Sequence, residues 1–179
     1  MIFVWLAIIS VAIFADQLTK WLAVMFIKGG EAVEVIPWFI QFSYVENRGA
    51  AWGMFSDQRW VFLIVSSVAI IGILVYMFLK RPTNKLLVSA LLLIVSGGIG
   101  NMIDRILLGY VVDFLDFTFI NFPVFNVADT FVCIGAGLMM LYLILSTVKE
   151  YKNEKRSKSN EKTAVEADSD GRGSSGNET

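Results

Sequence analysis

Histidine is absent from this chain of 179 residues, and cysteine occurs once. Without histidine there is no Ser-His or Cys-His nucleophilic site and none of the common histidine-bearing zinc sites. The single Cys133 makes neither an internal disulfide nor a thiolate metal cluster. It lies in the run Thr130-Phe-Val-Cys-Ile-Gly, where a free thiol is expected to pack as a small hydrophobe. Charge is scarce as well, at 17% of residues with a formal net of −1, so its distribution says more than its total. No internal repeat of useful length is present.

What fills the chain is apolar: 56% hydrophobic and 13% aromatic residues, with a mean hydropathy of +0.64. That lies outside the normal range of a soluble domain and marks a membrane protein. Crossing a hydrocarbon core of about 30 Å takes roughly 20 helical residues, and four segments qualify, at about 1–27, 60–79, 86–106 and 126–148. Val61 to Leu79 and Thr130 to Val148 each run 19 residues without a charge. Leu86 to Ile103 ends in the small-residue cluster Ser96-Gly97-Gly98-Ile99-Gly100, which lets helices approach closely. The first segment carries Asp16, Gln17 and Lys20. It has no charged n-region and its polar residues fall where a cleavage site would stand, so it is expected to be a retained helix and not a signal peptide.

The loops set the orientation, because basic residues stay on the cytoplasmic side. Lys80, Arg81 and Lys85 crowd the second loop, and Lys149, Lys152, Lys155, Arg156 and Lys158 follow the last helix. Both termini are therefore expected in the cytoplasm. The first loop mixes Lys28, Arg48 and Arg59 with four acids, and the third holds Asp113 and Asp116 with no basic residue, so both face outward. The first loop, about 30–58, contains Val33-Glu-Val-Ile-Pro37-Trp-Phe-Ile-Gln-Phe-Ser-Tyr44-Val-Glu. Its β-branched and aromatic residues predict a small extracytoplasmic β element, with Pro37 at an edge or break. The expected fold is an all-α polytopic membrane protein: a four-helix domain over 1–149 with this β element. A polar tail over 150–179 is expected to be disordered.

On this topology the polar residues gather at the outer ends of the helices. Asp16 stands roughly 22 Å along an outward-going helix, with Lys20 one turn further at i+4. Asn101, Asp104 and Arg105 share one face at the end of the third helix, and Asn126 and Asp129 occupy the first turn of the fourth. Asp16 and Lys20 are expected to form a local ion pair, Asp104 and Arg105 to neutralise each other, and Asn126 to cap the fourth helix. Asp116 reads as an interfacial loop charge. Asp113 and Asp129, 16 residues apart in Val-Val-Asp113-Phe-Leu and Phe-Asn126-Val-Ala-Asp129, are costly in apolar surroundings. No cap or cation lies near Asp113 in sequence. Two such carboxyls brought together share a proton, so one serves as base and the other as acid. That is aspartic-protease chemistry on a peptide bond, with no metal or cofactor needed. A Ser-Lys dyad, with Lys20 as base and Ser43, Ser56 or Ser96 as nucleophile, is the rival chemistry, and Asp16 beside Lys20 counts against it.

Five blocks in order resemble the bacterial lipoprotein signal peptidases, also called signal peptidase II. They are Asp16-Gln-Leu-Thr-Lys20, Glu46-Asn47-Arg-Gly49-Ala-Ala-Trp-Gly53, Gly97-Gly-Ile-Gly-Asn101-Met-Ile-Asp104-Arg105, Val111-Val-Asp113-Phe, and Phe125-Asn126-Val-Ala-Asp129. The resemblance implies an aspartic endopeptidase of the bacterial cytoplasmic membrane that cuts diacylglyceryl-modified prolipoproteins just before the lipidated cysteine. It assigns Asp113 and Asp129 as the catalytic pair. Asn47, Gly49, Asn101, Arg105 and Asn126 bind substrate or shape the site, and Asp16, Lys20 and Asp104 give structural support. It further implies membrane lipids as partners, inhibition by globomycin-type compounds, no nucleic-acid partner and a monomer. Thr130 stands where a serine is common in the family.

Phe114, Phe117, Phe125 and Trp52 are the apolar residues expected around the pair. A small proton-coupled transporter is the reading from another class, since intramembrane acids also carry protons. Transport sites are expected at the bilayer midplane and often between repeats, neither of which this sequence offers. A non-catalytic scaffold would leave the two acids without a reason to be acidic.

Overall fold

A computed structural model describes residues 2–49 and 58–173, with side chains described to residue 157. Among the described residues seven elements follow in order: α1 (Ile2–Phe26), β1 (Val33–Ile36), β2 (Ile40–Asn47), α2 (Arg59–Lys80), α3 (Lys85–Leu107), β3 (Val111–Phe117) and α4 (Val127–Gly173). α1, α2, α3 and the Val127–Ser157 part of α4 are each long and apolar enough to cross a membrane. Their exposed faces carry large apolar side chains such as Phe14, Ile64 and Leu143, as a lipid-facing surface should.

α3 is the central helix of the unit formed by residues 1–139, with ten buried residues where α2 has two. Its start is fixed by Asn84, whose side chain accepts from Leu87 N at 3.1 Å, an N-cap that serves an otherwise unpaired amide. The preceding α2 stops at Arg81, held in the left-handed region at φ 46° just before Pro82, which disfavours further helix. Close approach of α3 to α1 depends on Gly100. A Cβ there would stand 2.5 Å from Asp16 Oδ2 and 3.2 Å from Ala128 Cβ. Small residues at such a crossing bring polar groups of different helices within bonding reach.

The loop between α1 and α2 forms β1 and β2 with Pro37 in the turn between them, and Trp38 at φ 66° completes the reversal. The strands pair antiparallel, and β2 pairs in turn with β3 in the order β1-β2-β3. β3 departs from the sequence expectation of a plain connection. Val111-Val-Asp-Phe-Leu-Asp-Phe117 is rich in the β-branched and aromatic residues that favour strands, and Gly109 at φ 86° supplies the turn that leads α3 into it. Ala23, Ile27, Val112 and Phe114 form a small core that seats the sheet on the C-terminal end of α1, with Phe42 and Tyr44 packed against it.

The residues from 140 onward form a second unit, which in the described residues is the rest of α4. Helix continues through Gly173, where the sequence predicts a disordered tail from about 150. The segment has no proline and is rich in Lys, Glu and Arg, residues with high helix propensity.

Candidate active site

Two polar layers meet at the junction of α1, α3, β3 and α4. The inner layer is an ion cluster. Lys20, only 3% exposed, lies 3.0 Å from Asp16 Oδ2 and 3.1 Å from Asp104 Oδ2. The expected Asp16/Lys20 pair is present, but Asp104 belongs to Lys20 and not to Arg105. The reason is direction: the Asp104 side chain turns into the protein, where it also accepts from Val112 N at 3.0 Å and Gln17 Nε2 at 3.0 Å. Asp16 Oδ1 accepts Ala128 N at 2.8 Å, so a carboxylate from α1 meets the positive end of α4. Gln17, given no role by the sequence, ties Asp16, Gly100 O and Asp104 together. A buried charge is tolerable only with such complete pairing.

The outer layer holds Asp113 and Asp129, and every oxygen of the two carboxyls accepts a hydrogen bond. Asp113 Oδ2 accepts from Asn47 Nδ2 at 2.9 Å, and its Oδ1 from Asn126 Nδ2 at 2.6 Å. Asp129 Oδ1 accepts from Asn101 Nδ2 at 2.7 Å, and its Oδ2 from Asn126 N at 3.2 Å. Asn126 Oδ1 in return accepts Asp129 N at 2.9 Å. Asn126 and Asp129 thus make a reciprocal capping box at the start of α4. Three asparagines, on β2, α3 and just before α4, aim their amides at the two acids. Burial pushes the Asp113 carboxyl up to about 7, with the charge of Asp129 adding to the rise. The Asn47 and Asn126 hydrogen bonds and Lys20 oppose it.

Both acids line a cavity of about 560 Å³. Its polar wall is Asn47, Gly49, Arg105, Asp113 and Asp129. Arg105 reaches Gly49 O at 3.4 Å and stands over the Phe62 ring at 4.9 Å, which holds its guanidinium on the cavity side of α3. Much of the remaining lining is aromatic. Phe117, Phe122 and Phe125 belong to it and contact one another with ring centroids 5.1 to 6.1 Å apart. Of the four apolar residues expected around the acids, Phe117 and Phe125 are there. Phe114 is not: strand alternation turns it toward Ala23 and Ile27. Trp52 lies outside the described residues, as do Ala50, Ala51 and Gly53 of the same block and Ser56.

Cys133 is exposed and lines the cavity one helical turn beyond Asp129, so it does not pack as a plain core hydrophobe. Asp116 is a strand residue and not a loop charge, bonded to Gln41 Nε2 at 2.7 Å and Ser43 Oγ at 2.9 Å. That occupies Ser43, and Ser96 Oγ donates to Leu92 O at 2.7 Å. With Lys20 enclosed by two carboxylates and Asn101 Oδ1, neither serine is placed for a Ser-Lys dyad.

Comparison with known proteins agrees with this architecture. A family model described as signal peptidase (SPase) II matches residues 8–145. A lipoprotein signal peptidase of Symbiobacterium thermophilum is 45% identical over 147 residues, covering 81% of this chain and 95% of that protein. One from Halalkalibacterium halodurans is 41% identical over 147 residues, covering 80% and 94%. A solved structure described as a bacterial membrane enzyme superposes with a TM-score of 0.77 at 34% identity, over 82% of this chain and 91% of the other. With a family match across its helices and relatives aligned nearly end to end, this four-helix membrane protein is a peptidase and belongs to the signal peptidase II family.

Proposed function

We propose that the chain removes signal peptides from diacylglyceryl-modified prolipoproteins, cutting just before the lipidated cysteine, with Asp113 and Asp129 as an acid-base dyad. The observation that carries this reading is the shared cavity: two carboxyls, each held by asparagine amides, lining it together with an aromatic surface. Asp113, pushed up to about 7, keeps the shared proton, and Asp129 acts as base. Asp129 takes a proton from a water that attacks the scissile carbonyl, while Asp113 protonates the carbonyl oxygen. Collapse of the tetrahedral intermediate breaks the C–N bond: the proton held on Asp129 passes to the leaving amine, and one hydroxyl of the gem-diol returns its proton to Asp113 as the C=O re-forms. The products are a carboxylate-ended signal peptide and a free amine on the lipidated cysteine.

Asn47, Asn101 and Asn126 orient the two carboxyls, and Arg105 and the Gly49 carbonyl offer a donor and an acceptor to the substrate backbone. Asp16, Lys20 and Asp104 hold α1, α3 and α4 in the arrangement this needs. The aromatic wall excludes water and takes the acyl chains. The Lys/Arg bias of the loops puts both termini in the cytoplasm and the dyad near the outer face. There the substrate's lipid anchor and signal helix hold the scissile bond in place, confining the search to two dimensions. The enzyme works as a monomer among membrane lipids, and globomycin-type compounds block it.

The test is reconstitution of the purified protein with a lipidated prolipoprotein, following signal-peptide release by gel shift. Cleavage that resists chelators and disappears in Asp113→Asn and Asp129→Asn is expected. Proton flux in liposomes without any cleavage would replace the reading by transport.

A further inference from the structure

Lys20 has a second task that ion pairing with Asp16 and Asp104 does not explain. Its ammonium has three N–H donors. Two meet the carboxylates, and the third goes to a neutral group, Asn101 Oδ1, at 2.9 Å. The same oxygen accepts from Asn126 Nδ2 at 3.1 Å. With its carbonyl end held by two donors, the Asn101 amide has one possible orientation, and its Nδ2 faces Asp129 Oδ1 at 2.7 Å. Turned over, the amide would set its NH₂ against an ammonium and another NH₂ while aiming its oxygen at a carboxylate. Asn126 is fixed in the same way. Its Oδ1 is taken by Asp129 N, which leaves Nδ2 for Asn101 and for Asp113 Oδ1.

We propose that Lys20 is a positioning residue of the dyad: through Asn101 it locks the amide orientations that direct hydrogen-bond donors, and no acceptors, at Asp113 and Asp129. The inference rests on the dyad reading given above. A carboxyl facing amide donors is favoured in its charged form, and one facing an amide oxygen only in its protonated form. Lys20 thus keeps the pair at one shared proton and stops it from being fully protonated. The polarised Asn101 carbonyl also strengthens the donor at the other end of the amide. The charged groups around this relay are Asp16 on α1, Asp104 and Arg105 on α3, Asp113 on β3 and Asp129 on α4; β2 contributes the neutral Asn47. Among them Lys20 alone bonds to an amide that in turn bonds to the dyad through a side-chain N–H.

The experiment measures kcat and KM for cleavage of a purified lipidated prolipoprotein across about pH 5 to 9, a range that brackets both limbs of an acid-base profile. Lys20→Met alone leaves Asp16 and Asp104 uncompensated and risks unfolding. It is therefore studied as Lys20→Met/Asp104→Asn, beside Asn101→Leu, which leaves every ion pair in place and cuts only the relay. The thermal midpoint of each variant reports folding. Both variants are expected to lose at least about tenfold in kcat with KM changed by less than about twofold. Both should move the acid limb, where the pair takes up its second proton, to higher pH. Combining all three substitutions should do no more than either set alone, because coupled groups are not additive.

A wild-type acid limb in the two variants, or fully additive losses, would show that Lys20 serves only the fold. The dyad reading fails separately. If Asp113→Asn and Asp129→Asn are inert while the Lys20 and Asn101 variants keep the wild-type pH profile, the relay alone is overturned. If either Asn variant still cleaves, both fall.

Discussion

Replacing Asn126 by alanine removes three side-chain bonds at the point where fold and chemistry meet. Asn126 is fully buried. Its Oδ1 caps Asp129 N at 2.9 Å, and its Nδ2 serves Asp113 Oδ1 at 2.6 Å and Asn101 Oδ1 at 3.1 Å. Its own backbone N–H to Asp129 Oδ2 at 3.2 Å survives only while the capping box holds that carboxyl in place. Loss of an N-cap costs about 1 kcal/mol, and loss of a buried hydrogen bond to a charged group about 1.5 to 3 kcal/mol. Asn126→Ala should therefore lower stability by about 2 to 4 kcal/mol, read as thermal or denaturant unfolding in detergent micelles. The Asn126 bond holds the Asp113 pKa down against burial, so its removal raises that pKa further above 7. The alkaline limb of kcat/KM then moves to higher pH, and the rate at the optimum falls by about a hundredfold, the lower end for losing an oriented acid or base. Unfolding unchanged within about 0.5 kcal/mol, a margin typical of neutral surface changes, together with an unmoved alkaline limb, would refute the cage of amides as the organiser of the site.

Gly100→Ala would place a methyl carbon 2.5 Å from Asp16 Oδ2. It should cost about 1 to 3 kcal/mol as overpacking and reduce cleavage by displacing the carboxylate that caps α4, whereas the same change at Gly72, which has open space around its Cβ position, should be silent in both assays. Asp113, raised by burial to about 7, holds its proton more tightly folded than unfolded. Its stabilising contribution is then complete below about pH 4, the ordinary carboxyl value, and is lost as pH rises through about 7. Unfolding free energy should fall across that window in the wild type, with a shallower fall in Asp113→Asn. Cys133, exposed on the cavity wall, should react with a maleimide, and the adduct should block cleavage. Substrate should protect the thiol, and Cys133→Ala should cleave normally in the presence of the reagent; labelling without inhibition would separate this cavity from the substrate path.

The four membrane helices were legible because an uninterrupted apolar run of the needed length has few other physical meanings. The polar site was legible for the complementary reason, since Asp16, Lys20, Asn101, Asp104, Arg105, Asn126 and Asp129 stand out against that background at helical spacing. Partner choice was not. Asp104 and Arg105 are neighbours in sequence, yet adjacent residues on a helix point 100° apart, and only the packing of α1 against α3 shows that Asp104 meets Lys20. β3 was hidden because a seven-residue strand with two acids looks like a polar connection until its pairing with β2 is known. The same alternation sends Asp113 to the cavity and Phe114 to the core, a division that the sequence order Asp-Phe does not declare. Gln17 and Cys133 gave no sequence signal of their own, because an amide in a helix and a thiol in an apolar run acquire meaning only from what faces them.

The dyad itself is tested most directly by the cleavage rates of Asp113→Asn, Asp129→Asn and the double variant, compared at matched folding on one lipidated prolipoprotein. Two groups that work as a unit lose everything when either is removed. All three variants are therefore predicted to fall to the same floor, at least about a hundredfold below wild type. Near-normal cleavage by either single variant, or a double variant whose loss is the product of two partial losses, would contradict the account.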